Sequence, residues 1–314
     1  MRMSSTVLSR WMLLLVLLVV TGVLFWGDPG IDLGRSFRHL WNAGHLVYFG
    51  LLSYLLLTLK IVKRRSITLQ WLITLGLTMA GGVLIELMQI GTTRTADMQD
   101  VLRDLIGSLL VLSWVTGRGQ TGVFRRVIIG VRAGLIIALL IMLKPLAVSL
   151  IDEGIALYQF PVLADFNNPF AIKRWEGNAE RTIVSLPAMP ETRAMQIDLT
   201  RQKYSGVFLR YFPGDWRGYD SLIMTLYNPG DEVLMITCRI HDEAHELSRQ
   251  SFSDRFNRTY GLRPGLNRLR IGLDTVAAAP AGRTMDLGHI HSLGLFTTKL
   301  VLPRLLYLLD VRLE

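Results

Sequence analysis

The stretch from Gly82 to Leu110, GVLIELMQIGTTRTADMQDVLRDLIGSLL, constrains this chain more than any other. It sets Glu86, Gln89, Arg94, Asp97, Asp100, Arg103 and Asp104 into or beside long apolar runs, LITLGLTMAGG before and LIGSLLVLSWV after. Such runs read as membrane spans. Ionisable side chains at that depth are costly, and in membranes they mark functional sites.

Five apolar segments precede residue 152: about Trp11 to Trp26, His45 to Val62, Leu69 to Ile90, Gln99 to Val115, and Val127 to Ile151. A helical span takes about 20 apolar residues. The third and fifth segments meet that length; the fourth is short and opens among charges. Arg2 and Arg10, then Lys60, Lys63, Arg64 and Arg65, then Arg118, Arg125 and Arg126 lie between alternate spans. The positive-inside rule puts these on the cytoplasmic side, with the N-terminus inside and the C-terminal half outside. A cleaved signal peptide is the competing reading of residues 1–26. No small-x-small site follows the apolar run, so a retained span is expected.

In this orientation His45 sits near the outer end of the second span. Glu86 and Gln89 fall in the last turns of the third. Asp97, Asp100 and Asp104 open the fourth. Residues three and four apart share a helix face, so each set points one way. Pro145 and Lys144 suggest a bend near the outer end of the fifth span.

Charge separates the two halves of the chain. Residues 1–151 hold 15 Lys/Arg against 6 Asp/Glu, and residues 152–314 hold 19 of each. The formal net charge of +9 comes from the first half alone and reflects basic loops beside spans, not nucleic-acid binding. One cysteine, Cys238, rules out an intrachain disulfide.

Residues about 10–117 resemble the VanZ-like family of bacterial membrane proteins. The matching residues are His45 in GHLVYFGLL, Glu86 and Gln89 in ELMQ, Arg94, Asp97 and Asp100, and Gly107. Trp41 and Asn42 stand where the family has an Asp-Lys pair, and Asp104 stands in place of its asparagine. The family is linked to glycopeptide-antibiotic tolerance, and its biochemical activity is not settled.

From about Tyr158 the apolar runs shorten to strand length. Turn sequences separate them: Asn167-Asn168-Pro169, Pro213-Gly214, Asn228-Pro229-Gly230 and Arg263-Pro264-Gly265. GVFLRYF, SLIMTLY, LMITCRI, NRLRIGL, SLGLFTT and RLLYLLDVRL are the expected strands of a β-sandwich over residues 152–314, with a short helix near Asp274–Ala279. LADFNNP followed by Trp175, the Asp215–Asp220 turn, and the closing LYLLDVRL resemble a carbohydrate-binding-module-like jelly roll of galactose-binding topology. That resemblance implies a structural calcium held by Asp165 and Asp310, although calcium takes about six to eight oxygens.

Two readings of the membrane cluster stand. Glu86 and Asp100 act as acid/base or cation ligands, with His45, Gln89, Arg94, Asp97 and Asp104 binding substrate and Arg94 pairing with a phosphate. Alternatively, the cluster is a polar network that pins helices together. Trp216 and Tyr219 are candidates for sugar stacking, and Trp175 is assigned to the core. His241 and His245 in HDEAHE have a zinc-like spacing but are expected in a solvated loop. Asp254 and Arg255 are expected to pair internally. The sequence thus predicts a five-span helical membrane domain over 1–151 followed by an extracytoplasmic β-sandwich. The expected function is recognition or processing of a cell-envelope glycan or lipid-linked precursor. A non-catalytic adaptor that binds a protein is the alternative.

Overall fold

The computed structural model describes residues 5–25, 30–89 and 98–314, with side chains over 11–22, 34–88 and 98–314. The chain divides into two compact units, Met1–Ser149 and Leu150–Glu314.

The first unit is helical. Its elements are α1 (Ser5–Phe25), α2 (Gly30–Thr58), α3 (Lys60–Lys63), α4 (Ile67–Gln89), α5 (Met98–Thr116) and α6 (Gly122–Gln159). Within the described residues, the five expected apolar segments fall in α1, in α2 with α3, in α4, in α5 and in α6. Among the described residues, three helical stretches are long and apolar enough to cross a membrane: Gly34–Thr58, Ile67–Met88 and Gly122–Gln159. Charges at its start keep α5 out of that set. α2 begins well before the expected His45, with a non-helical φ of 83° at Gly34. His45 lies about three turns past Gly34, after the polar residues Arg35, Ser36, Arg38 and His39 that open the helix. Ser66 caps α4, its Oγ accepting from the Leu69 amide at 3.4 Å. α6 runs on through Pro145 and past Ile151 to Gln159.

Small residues let these helices approach closely. A Cβ on Gly107 would lie 2.1 Å from the Leu46 carbonyl oxygen of α2. Just below, Ser108 Oγ joins three helices: it accepts from Ser53 Oγ of α2 at 2.8 Å and bonds Thr78 Oγ1 of α4 at 2.7 Å. Small side chains and hydroxyl bridges are how helices pack where burial of apolar surface offers no driving force. Trp71 Nε1 also donates to Thr116 Oγ1 at 2.9 Å, and Arg132 of α6 donates to the Ser113 carbonyl of α5 at 2.8 Å.

The second unit is an antiparallel β-sandwich. Its strands are β1 (Val162–Ala164), β2 (Trp175–Gly177), β3 (Glu180–Leu186), β4 (Met189–Leu199), β5 (Tyr204–Leu209), β6 (Ser221–Asn228), β7 (Leu234–Asp242), β8 (Phe256–Leu262), β9 (Gly265–Gly272), β10 (Ile290–Thr298) and β11 (Arg304–Leu313). One sheet has the order β3-β4-β11-β6-β9, with β1 also on β11; the other is β2-β5-β10-β7-β8. Two short helices interrupt the strands, α7 (Glu243–Glu246) and α8 (Leu273–Ala277). Asp242 caps α7, accepting from the His245 amide at 3.1 Å. Gly265, at φ 88°, turns the chain into β9 where a side chain would be strained.

Period-two patterning builds the core. Leu234, Ile236, Cys238 and Ile240 of β7 point inward, as do Val207 and Leu209 of β5 and Leu293 and Leu295 of β10. Trp175, Trp216 and Phe166 fill the space between the sheets. Within this unit the last turns of α6 bring Asp152 to Arg174, where Nη2 and Oδ1 lie 2.8 Å apart with both side chains 1% exposed.

Candidate functional site

The helical unit brings residues from α2, α4 and α5 to one point. His45 is fully buried, and Glu86, Asp100 and Asp104 are nearly so. His45 Nδ1 lies 3.1 Å from Asp104 Oδ1, and His45 Nε2 lies 3.7 Å from Asp100 Oδ2. The other oxygen of Asp100 accepts a charged hydrogen bond from Arg103 Nη1. Donor atoms of His45, Glu86 and Asp100 all lie within 4.8 Å of one another, an arrangement able to hold a metal ion.

The local sequence explains the convergence. Glu86 occupies the last turn of α4, and Asp100 and Asp104 sit one turn apart at the start of α5. Gly82 gives Asp104 its place, since a Cβ there would lie 2.4 Å from Asp104 Oδ2. Of the other expected members, Arg94 and Asp97 lie outside the described residues. Gln89 closes α4, and its side chain lies outside them too.

In the β-unit the expected ligand residues fall elsewhere. Trp216 is completely buried, so it offers no ring face to a sugar. Tyr219 packs on the core, edge-on to Phe160 with centroids 5.5 Å apart. Trp216 belongs to the apolar interior, whereas Tyr219 stays half-buried at its border. The expected calcium pair is engaged by neighbours. Asp165 accepts from the Asn167 side chain at 3.0 Å, and Asp310 pairs with Arg312 at 2.6 Å.

Sequence reasoning missed the outer face of the five-stranded sheet. Glu176, Phe208, Gly294, Arg239 and Asn257 stand directly opposite one another on successive strands, forming a row across it. Opposed residues point to the same face, and their neighbours in each strand point into the core. In the next row Gly206, Phe296, Thr237 and Thr259 are likewise opposed. A Cβ on Gly294 would meet the Phe208 ring at 2.4 Å, and one on Gly206 would meet Phe296 at 2.5 Å. The Phe208 ring therefore lies over Gly294, and it stacks with Phe296, with centroids 6.2 Å apart and planes at 26°. Tyr204 meets Phe296 edge-on. Beside the rings, Arg239 Nε, Arg255 Nε and Asn257 Oδ1 are buried atoms without a hydrogen-bond partner. The cross-strand pairing of a phenylalanine with a glycine was the signal, but it needs the register to be seen.

The histidines of HDEAHE are not solvated. His241 and His245 are buried, with ring centroids 4.8 Å apart. His241 Nε2 lies 3.0 Å from Glu246 Oε2, and His245 Nδ1 lies 3.2 Å from Asp254 Oδ2. Asp254 pairs with Arg283 at 2.7 Å, rather than with Arg255 as expected, and Arg283 also donates to Asp242 at 2.5 Å. Burial, helped by the Arg239 and His245 charges and opposed by Glu246, holds His241 well below the ordinary histidine value. Burial raises Asp242, but hydrogen bonds from Arg283 and from the Asp286 and His245 amides outweigh it and lower the pKa to about 2. Burial pushes the Cys238 thiol up, which makes it inert.

No family profile matches the chain, and no curated protein does. Similar solved structures include a family 11 carbohydrate-binding module from Clostridium thermocellum in complex with a β-1,3-1,4-mixed-linked tetrasaccharide. It has 15% identity and a TM-score of 0.37 over 48% of this chain and 93% of that one. An exo-β-agarase matches at 15% identity and a TM-score of 0.40, over 49% of this chain and 24% of that one. A carbohydrate-binding module specific for non-crystalline cellulose, CBM28, has 10% identity and a TM-score of 0.33, covering 45% and 87%. Scores at this level assign no function.

Proposed function

We propose that this is a VanZ-like, multi-pass protein of the bacterial cytoplasmic membrane, whose extracytoplasmic β-sandwich recognises a glycan of the cell envelope. The observation that supports glycan recognition is the outer face of the five-stranded sheet. Phe208 and Phe296 offer stacked apolar rings of the kind a sugar ring packs against, and aromatic side chains combine large contact area with little lost flexibility. Arg239 and Asn257, in the same cross-strand row as Phe208, carry the polar groups that sugar hydroxyls would bond.

Membrane residence is supported by the three long apolar stretches and by the exposed apolar side chains of α6, among them Ile137, Leu140 and Ile141. A helix apolar on all sides is a buried or membrane-embedded helix. By the positive-inside rule, the basic residues Lys60, Lys63, Arg64 and Arg65 support a cytoplasmic position for that end of α2. The helical unit's His45–Glu86–Asp100–Asp104 cluster would engage the polar head of a lipid-linked precursor.

Calorimetric titration of the full chain in detergent with soluble envelope-glycan fragments tests the glycan reading. Binding should weaken at least tenfold in Phe296→Ala and in Arg239→Ala, with the melting temperature little changed. A wild-type protein that binds none of the fragments would favour the protein-binding adaptor, and variants that bind as well as wild type would remove the glycan site from this face.

A further inference from the structure

We propose that His45, Glu86 and Asp100 form a binding site for a divalent first-row metal ion, with Asp104 as the residue that orients the imidazole. The inference goes beyond glycan recognition and stands independently of it.

Its first support is geometry. Bonds of about 2.0–2.2 Å from a metal to nitrogen or oxygen leave adjacent donor atoms about 3–3.5 Å apart. Here three donors from three helices already lie within 4.8 Å of one another, and the His45 Nε2–Asp100 Oδ2 pair lies at 3.7 Å.

The second support is the histidine. His45 is fully buried, and its Nε2 has no hydrogen-bond partner. With the imidazole proton on Nδ1, Asp104 Oδ1 accepts it at 3.1 Å. The remaining lone pair is then on Nε2, facing Asp100. A carboxylate that fixes the tautomer of a histidine and raises its basicity is the usual outer partner of a metal-bound imidazole. Asp104 is itself packed against α4, where a Cβ at Gly82 would press on its carboxylate.

The third support is the donor set. One imidazole with two carboxylates suits Mn²⁺, Fe²⁺ or Zn²⁺ better than Ca²⁺ or Mg²⁺, which take oxygen alone. Arg103 occupies Asp100 Oδ1, so Asp100 binds through Oδ2. Three protein ligands leave coordination positions open for water or an oxygen of a ligand. The competing arrangement is an imidazolium that bridges Asp104 and Asp100, which would need no ion.

The test uses the full chain in detergent without a histidine tag, stripped with EDTA and titrated with Mn²⁺ under electron paramagnetic resonance. About one Mn²⁺ per chain should bind, be displaced by Zn²⁺, and raise the melting temperature. Glu86→Gln and His45→Gln should lower affinity at least a hundredfold, and Asp104→Asn by about 10- to 100-fold. His241→Gln in the β-unit should leave the Mn²⁺ affinity and stoichiometry unchanged. Should His45→Gln fail to fold, Glu86→Gln and the wild-type stoichiometry decide. Folded wild-type protein that binds neither Mn²⁺ nor Zn²⁺ would overturn the site in favour of the bridging imidazolium. Binding that survives Glu86→Gln but is lost in His241→Gln would overturn it in favour of the β-unit histidines.

Discussion

His45 of α2 and Asp104 of α5, 59 residues apart in sequence, meet through an Nδ1–Oδ1 contact of 3.1 Å with both side chains essentially inaccessible. Neither group has water to fall back on. Replacing Asp104 with leucine leaves a buried donor unsatisfied and should cost about 1–3 kcal/mol. Asparagine keeps an accepting oxygen and should cost less. Thermal unfolding of both variants in detergent tests this; equal losses would mean that the contact contributes no stability.

Gly107 should be the least replaceable glycine of the helical unit. A methyl there meets the Leu46 carbonyl oxygen at 2.1 Å, which is backbone and cannot rotate away. Gly107→Ala should separate α2 from α5 and destabilise by about 1–3 kcal/mol. Gly76 has nothing within 4 Å of a new Cβ, so Gly76→Ala is the control and should be neutral or slightly stabilising. Unfolding by increasing SDS fraction compares the two, and similar midpoints would refute the packing argument.

Asp152 and Arg174 form an ion pair that is 1% exposed on each side, with Arg174 Nε also donating to Asp152 Oδ1 at 2.8 Å. Removing one partner strands the other charge away from water. Asp152→Ala should cost about 3–5 kcal/mol, whereas replacing both residues with apolar ones of similar size should cost far less. Denaturant unfolding of the single and double variants measures the difference.

The β-unit should lose stability in acid in two stages. Burial, with Arg239 and His245 nearby, depresses His241 below the 6.5 of a free histidine, so the unfolded chain takes up that proton first. The stability this represents is full above pH 6.5 and declines as the pH falls below it. Asp242 follows. Its pKa of about 2, against an ordinary 3.8, contributes stability that is present above pH 3.8 and lost as the pH falls through 2. Melting temperatures measured from pH 8 to pH 2 should show both stages. His241→Gln should flatten the first alone; an unchanged slope in that variant would show that His241 is not its source.

Much of the fold is legible in the chain. SLIMTLY, LMITCRI, SLGLFTT and RLLYLLDVRL become β6, β7, β10 and β11, and the short helix near Asp274 is α8. Alternating apolar residues and turn dipeptides are local signals, and these strands show them plainly. β3 and β4 escaped notice because ERTIVSL and MPETRAMQIDL mix polar and apolar residues on half-exposed strands. Trp216 is a sugar-stacking candidate by sequence because its immediate neighbours are polar, and it is buried because the turn packs on the core.

By itself the sequence determined which segments are apolar, their periods, and hence helices first and strands after. It also set Glu86, Asp100 and Asp104 apart as charges in apolar surroundings, since spacing along one or two helices needs no knowledge of the rest. Only the tertiary structure decided that His45 meets them, because a contact across 59 residues depends on how closely α2 and α5 approach at Gly107. It likewise decided that Phe208 lies over Gly294. Strand register is a relation between distant segments, and composition or periodicity within either segment leaves it open.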